Sequence, residues 1–300
     1  MNLVKNIREN FATLLMGNYS VIRELDPEYI GYTLYLPEGY AVAIEFDSDL
    51  NINEKFSNSK LFSRKLNLDG TLKKYLILLC TLDNLRYEFA ALSAQFLDPG
   101  ENGDYRKRII EDPLSWWKQW IELLGNSISI KKAYSVIAEM IALDYLFQKD
   151  NTVEWTAINT GSHDIEGDTC SYEVKSSLKK YSAEITISSQ YQLRSKKSMY
   201  LMFIKLEKSQ LGVSIDDMKN RLISHGYDGD KLENQIQRLG FENGASVRKE
   251  KYKILEKRQY FVDDKFPKIT NESFIGGKFP DSITKITYTI NLDGIEYINW

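Results

Sequence analysis

The stretch that most constrains this chain is residues 163–193, HDIEGDTCSYEVKSSLKKYSAEITISSQYQL. Within it, Glu173-Val174-Lys175 sits in a run of β-prone residues. Side chains alternate along a strand, so Glu173 and Lys175 share one face while Val174 takes the other, toward a core. An aspartate at the end of the neighbouring strand, Asp164, can then meet Glu173 at one cation. Mg²⁺ takes carboxylate oxygens and keeps several waters. A lysine beside such a water can orient it or support charge developing on a phosphate. The Val174 carbonyl is a further candidate ligand.

On these residues the chain resembles the PD-(D/E)XK nuclease superfamily, with His163-Asp164 in place of Pro-Asp and Glu173-Val174-Lys175 as the second motif. More narrowly, it resembles an uncharacterised family of bacterial PD-(D/E)XK-motif proteins, often encoded among restriction and phage-defence genes. The resemblance covers most of the chain. It runs from an acidic helix before the core, through the HD pair, EVKSS and a Gln-Leu, to a Phe-Pro segment and a late alternating strand. It implies an α/β (α+β) fold, a restriction-endonuclease-like mixed sheet flanked by helices. It also implies a Mg²⁺- or Mn²⁺-dependent endonuclease acting on DNA, with a restriction-like role in defence.

The resemblance implies roles as well. Asp164 and Glu173 bind the metal, with the Val174 carbonyl. Lys175 positions water or stabilises the transition state. Glu139 is a helper carboxylate, and Gln192 orients the phosphate or Lys175. Gln190 is the alternative to Gln192, and spacing does not decide between them. Glu166 and Asp168 rank lower as ligands because they fall in an apparent turn. His163 reads as a hydrogen-bonding structural residue.

Charge pulls the other way. The net charge is −3, whereas phosphate neutralisation favours basic proteins. The charges are partly segregated, however. Lys179, Lys180, Arg194, Lys196 and Lys197 crowd the motif and are the candidate nucleic-acid contacts. A second basic run holds Arg248, Lys249, Lys251, Lys253, Lys257 and Arg258. The rival reading is therefore a noncatalytic DNA-binding or assembly subunit of a multi-protein defence complex, alongside a methyltransferase or an ATPase or helicase. Cleavage of RNA and a homo-oligomer both stay open.

Other chemistries lack parts. Two histidines, His163 and His225, do not make a triad hydrolase or an HNH site. No GxxxxGK[ST] loop is present. Cys80 and Cys170 lie far apart without CxxC spacing, which argues against a disulfide framework and a zinc cluster and fits a reducing cytoplasm. No run approaches the roughly 20 apolar residues of a membrane span, so no membrane partner is expected.

Three segments are expected: 1–100, β-rich; 101–210, the nuclease core; and 211–300, an α+β extension. The first opens with a helix over 1–18. It continues in β-prone runs that include RYEFAALSAQFL, with turns at Pro37-Glu38-Gly39 and Asp69-Gly70. Asp98–Gly103 marks the boundary. A helix through Trp116, Trp117 and Trp120 follows, capped near Gly125-Asn126-Ser127.

Residues 130–148 have helical spacing, with Glu139 interrupting the apolar face. Strands follow at 153–158, from His163, at 170–176 and at 184–188, with a turn at Gly161. A short helix is expected at 189–195 and a strand buried on both faces at 199–206. Ser214 and Gly226 bracket a helix, a second runs over 230–239, and 245–262 reads as a basic hairpin. Together these could form a winged-helix-like unit, with packing as the other reading. A strand at 284–291 closes the chain.

Overall fold

The computed structural model describes residues 3–124, 132–156, 163–189, 191–278, 280, 282–283 and 285–300. The chain forms two compact units. The first comprises Met1–Ile130 together with Gly240–Ser246, and the second Lys131–Leu239 with Val247–Trp300.

The first unit opens with α1 (Leu3–Thr13), which buries Ile7 and Phe11. A sheet follows, built from β1 (Tyr19–Val21), β2 (Gly31–Leu36), β3 (Gly39–Glu45), β4 (Asn53–Phe56), β5 (Ser59–Leu68) and β6 (Thr71–Cys80). Its order is β1-β2-β3-β6-β5-β4 and every pairing is antiparallel. Asp69 and Gly70 both take positive φ, 57° and 79°. A two-residue turn of this hand matches the twist of the strands it joins. Asp69 also accepts the Tyr32 hydroxyl at 2.6 Å, which pins the turn to β2.

The segment expected as a strand, RYEFAALSAQFL, is a helix, α2 (Arg86–Leu97). Its alanines and leucines favour helix. Phe89, Ala90, Ser93, Ala94, Phe96 and Leu97 are buried, a spacing of three and four that a strand cannot place on one side. Next come α3 (Asp104–Glu111) and α4 (Pro113–Leu124). Pro113 opens α4, and Asp112 accepts the Ser115 amide at 3.0 Å, the usual start of a helix.

The boundary expected at Asp98–Gly103 is not where the units divide. Ile109 and Trp117 share the apolar core of α1, α2 and the sheet. Arg106 is buried, and its guanidinium donates to the carbonyls of Leu97 and Ile30 at 2.8 and 3.1 Å. These contacts hold residues 104–124 in the first unit. Residues 240–246 join it too. Asn53 donates to the Asn243 carbonyl at 2.7 Å, Lys55 meets Glu242 at 2.7 Å, and Glu54 accepts the Ser246 amide at 2.7 Å.

The second unit begins with α5 (Ala133–Phe147). Its strands are β7 (Glu154–Trp155), β8 (Ile165–Glu166), β9 (Cys170–Ser177), β10 (Glu184–Ile187) and β11 (Ser198–Val213). After α6 (Ile215–Ser224) and α7 (Gly229–Arg238) come β12 (Tyr252–Phe261), β13 (Tyr288–Asn291) and β14 (Ile298–Asn299). The main sheet has the order β14-β12-β11-β9-β8-β7. Only β9 and β11 are parallel.

α5 packs on β9 and β11. The opposite side departs from the expected covering helix. β10 leaves the main sheet and pairs antiparallel with β13. Ile185 and Ile187 of this ribbon, with Ile290, cluster with Leu201 and Phe203 of β11. Of the helix expected at 189–195, the described residues 191–193 form a turn. Its serines explain this, because side-chain acceptors compete with the helical ladder. Ser189 Oγ takes the Tyr191 amide at 3.3 Å, and Gln192 Oε1 takes the Ser188 amide at 2.7 Å.

The winged-helix expectation also gives way. Helices α6 and α7 are an excursion between two paired strands, because β12 runs antiparallel to β11. α6 starts with a capping box of Ser214 and Asp217. Arg248 is fully buried and closes the excursion. It donates to Glu233 at 2.8 and 3.0 Å and to Asp216 at 2.8 Å. The expected cap at Gly125–Ser127, the strand end at Ala157-Ile158 and the turn at Gly161 lie outside the described residues. Among the described residues no helix is long and apolar enough to cross a membrane.

Candidate active site

Strand β9 sets the geometry. Glu173 pairs with Leu201 and Lys175 with Phe203, so both point to the side of the sheet that the β10–β13 ribbon covers. Glu173 is 2% exposed. Lys175 Nζ lies 2.8 Å from Glu173 Oε1 and 3.3 Å from Gln192 Oε1. Since Gln192 also accepts the Ser188 amide, its amide is fixed before it reaches the lysine. Gln192 therefore touches Lys175; Gln190 lies outside the described residues.

Asp164 enters from the start of β8. Its amide donates to the Tyr172 carbonyl at 3.1 Å, and the ladder between the strands then stops. Among the described residues Val174 has no strand neighbour on that side, and Asp164 Oδ2 accepts its amide at 2.9 Å instead. In an extended strand the N–H and C=O of one residue point the same way. The Val174 carbonyl is therefore directed to the same edge as the Asp164 carboxylate.

Glu139 comes from α5 and is 2% exposed. Its Oε2 accepts the Trp155 indole N–H at 2.9 Å. Trp155 is held in turn by its neighbours, because its carbonyl accepts Gln235 Nε2 at 2.7 Å. Glu139 is close enough to Glu173 to act on it electrostatically.

The Glu173 carboxyl is pushed up to about 8. Burial is the largest cause, because a carboxylate without water is costly. Repulsion from Asp164 adds to it, and Glu139 adds a little more. The Lys175 ammonium works against both without cancelling them. Among the described residues that act on Glu173, two carboxylates raise its carboxyl and one ammonium lowers it.

Histidine 163 braces the aspartate. Its Nδ1 is 2.7 Å from Glu166 Oε1 and its Nε2 is 2.9 Å from the Arg194 carbonyl. Glu166 also meets Ser171 Oγ at 2.9 Å and Lys197 Nζ at 3.2 Å. Burial tends to raise its carboxyl, and the bonds to His163, Ser171 and Lys197 outweigh this and hold it below the usual range. Glu166 is thus part of a brace two residues along the strand from Asp164, while Asp168 is exposed in the turn.

The basic residues divide. Lys179 pairs with Glu184 at 2.9 Å, and Lys197 is held by Glu166 and by the Gly167 carbonyl at 2.6 Å. Lys180 lies over the Tyr181 ring at 5.6 Å, and Lys196 is exposed. Arg194 reaches Asn271 Oδ1 at 3.5 Å. In the second basic run, Arg248 is consumed inside the fold and Lys251 faces Asp217 at 3.7 Å.

Local reading missed two residues. Trp155 fixes Glu139. Tyr288, on β13, lies within electrostatic reach of both Lys175 and Arg194. The alternation of KITYTIN marks Tyr288 as a strand residue, but nothing local tells which strand it will pair with.

Among the described residues, no group of three or more His, Cys, Asp or Glu side chains is placed to hold a metal ion. Asp164 lies within electrostatic reach of Glu173, and its carboxylate shares a strand edge with the directed Val174 carbonyl. Oxygen donors, two of them carboxylates, fit Mg²⁺ or Mn²⁺, since Mg²⁺ is commonly held through one or two carboxylates with waters completing its shell. A divalent cation would also relieve the repulsion that raises Glu173.

A family model described as "Putative PD-(D/E)XK family member, (DUF4420)" matches residues 25–293, and the chain belongs to that family. No curated protein and no solved structure matches it.

Proposed function

We propose that this protein is a divalent-metal-dependent endonuclease that hydrolyses phosphodiester bonds of DNA, restriction-like, in defence against foreign DNA. The observation that carries the chemistry is the Lys175 ammonium, 2.8 Å from a buried Glu173 whose carboxyl is driven up beside Asp164. Family membership supports nuclease-like activity. The defence role rests on the resemblance to proteins encoded among restriction genes.

Asp164, Glu173 and the Val174 carbonyl would hold Mg²⁺ or Mn²⁺. When bound, such an ion supplies Lewis acidity toward a phosphate and makes water more acidic. The protein's own groups do the rest. Lys175 presents a fixed positive charge where phosphate oxygens gain negative charge. Gln192 keeps that ammonium from swinging away. Glu139, held by Trp155, presents a carboxylate from the helix side.

A second reading is a noncatalytic DNA-binding or assembly subunit, working with a methyltransferase, ATPase or helicase. The net charge of −3 favours it, as does the pairing of Lys179 and Lys197 with carboxylates.

Incubation with plasmid DNA and Mg²⁺ or Mn²⁺ separates the two. Cutting is expected in the wild type and reduced by on the order of 10²–10³ or more in Lys175→Ala and Asp164→Ala. Calorimetric Mn²⁺ titration should show binding that Asp164→Ala loses. Full cutting by Lys175→Ala would overturn the assignment. So would a wild type that neither cuts nor binds metal.

A further inference from the structure

A groove of about 500 Å³ lies in the second unit, walled by Leu193–Ser195, Lys197–Met199, Phe261-Val262 and residues 264–272 in part. That volume suits a small polar ligand group, in the range of roughly 300–1,000 Å³. Its wall is continuous with the active site. Gln192, which holds Lys175, is two residues from Arg194. The Arg194 carbonyl holds His163, next to Asp164. Ser195 Oγ is 2.8 Å from Ser171 Oγ on β9.

The groove's chemistry is that of a strand-binding surface. Arg194, Lys197 and Lys268 line the groove alongside the carboxylates of Asp264 and Glu272, with Lys197 also meeting Glu166 at 3.2 Å. The carboxylate nearest Lys268 is Asp264, 3.7 Å away and fully exposed. Ser195, Ser198, Thr270 and Asn271 add neutral donors. At the rim stands Phe261, 54% exposed. Beyond it a row of rings crosses three neighbouring strands in register, on the sheet face opposite Glu173 and Lys175. Phe261 is 5.4 Å from Tyr200, and Tyr200 is stacked 5.5 Å from Tyr172.

We propose that this groove takes unpaired nucleotides flanking the cleaved phosphate, so that the preferred substrate carries a single-stranded tail or gap. The inference rests on the nuclease reading for its occupant. A cation-lined channel follows the backbone of a single strand, and exposed rings stack its bases. Bases inside a continuous duplex are stacked on one another and cannot offer their faces to Phe261.

The test is fluorescence anisotropy in EDTA, with labelled blunt duplex, the same duplex carrying a DNA tail, and the same duplex carrying an RNA tail. Wild type is expected to bind a tailed duplex about 10-fold or more tighter than blunt, in keeping with the worth of one stacked base. Phe261→Ala should lose most of that preference, and Phe261→Tyr should keep it. Lys268→Ala should weaken tailed binding and flatten its salt dependence. Leu211→Ala, an exposed apolar residue outside the groove (90% exposed), should keep the preference. Equal binding of blunt and tailed duplex by wild type would overturn the inference, as would a preference undiminished in a folded Phe261→Ala. Cutting is scored separately. Tail preference without any cutting would fail the nuclease reading alone, and cutting without tail preference would fail this inference alone.

Discussion

Two groups of buried charge in the second unit can be set side by side. Around Arg248, two cations face two carboxylates: Arg248 and Lys219 against Glu233 and Asp216, all within 3.0 Å of a partner. The Glu233 carboxyl is drawn down to about 2, chiefly by its bond to Arg248. Around Glu173, among the described residues that act on it, the carboxylates of Asp164 and Glu139 raise the carboxyl and the ammonium of Lys175 lowers it, and it stands at about 8. Depth and charge both enter the contrast: burial is the largest cause of the rise at Glu173, with repulsion from Asp164 next, whereas the less buried Glu233 is governed by its bond to Arg248. A balanced group fastens the α6–α7 excursion. An unbalanced one costs stability, and a divalent cation is what would restore the balance.

The strongest way to break the comparison is Arg248→Met. It leaves Glu233 and Asp216 without their buried partner, and should cost about 3 kcal/mol of stability in urea denaturation. A neutral result would mean the Arg248 group is not a fastening.

The second test runs in the opposite direction. Glu173→Gln should stabilise the metal-free protein at pH 8.5 by ~1–3 kcal/mol. The sign follows from a folded carboxyl raised from 4.5 to about 8. As pH climbs through that window, the unfolded chain gives up a proton that the folded protein retains, so stability falls. The gain in the variant should vanish near pH 4.5. Added Mn²⁺ should stabilise the wild type and not the variant. Urea melts at the two pH values, with and without Mn²⁺, check each part.

The smallest effect is acid sensitivity at Glu233. Its folded carboxyl lies below the ordinary 4.5, at about 2. Its contribution is therefore complete above pH 4.5 and lost as pH falls toward 2. Partial exposure limits it to ~1–2 kcal/mol. Glu233→Gln should show a flatter fall in stability across that window, read by circular dichroism during acid titration.

What was legible locally follows the same divide. The helix bearing Glu139, the alternation of Glu173-Val174-Lys175 and the position of Asp164 depend on spacing within one element or between adjacent ones, and residues 163–193 contain most of them. The β10–β13 ribbon was not legible, because Glu184 pairs with Asn291 across more than a hundred residues. α2 was misread because its aromatic residues favour strands when taken singly, whereas burial at Phe89, Ala90, Ser93 and Ala94 follows a helical face. The role of Arg248 was hidden for a simpler reason. A basic run shows its charge, and only the fold shows that Glu233 and Asp216 have already neutralised it.

Residues 240–246 have a consequence for biosynthesis. The chain passes between the units at 130–131, 239–240 and 246–247. Asn53, Glu54 and Lys55 leave the ribosome early, yet their partners Asn243, Ser246 and Glu242 emerge nearly two hundred residues later. Domains made first ordinarily close first during synthesis. Here the amino-terminal unit stays incomplete while Asp164, Glu173 and Lys175 are being translated. A truncation at residue 239 would remove a piece of both units at once, residues 240–246 from the first and 247–300 from the second.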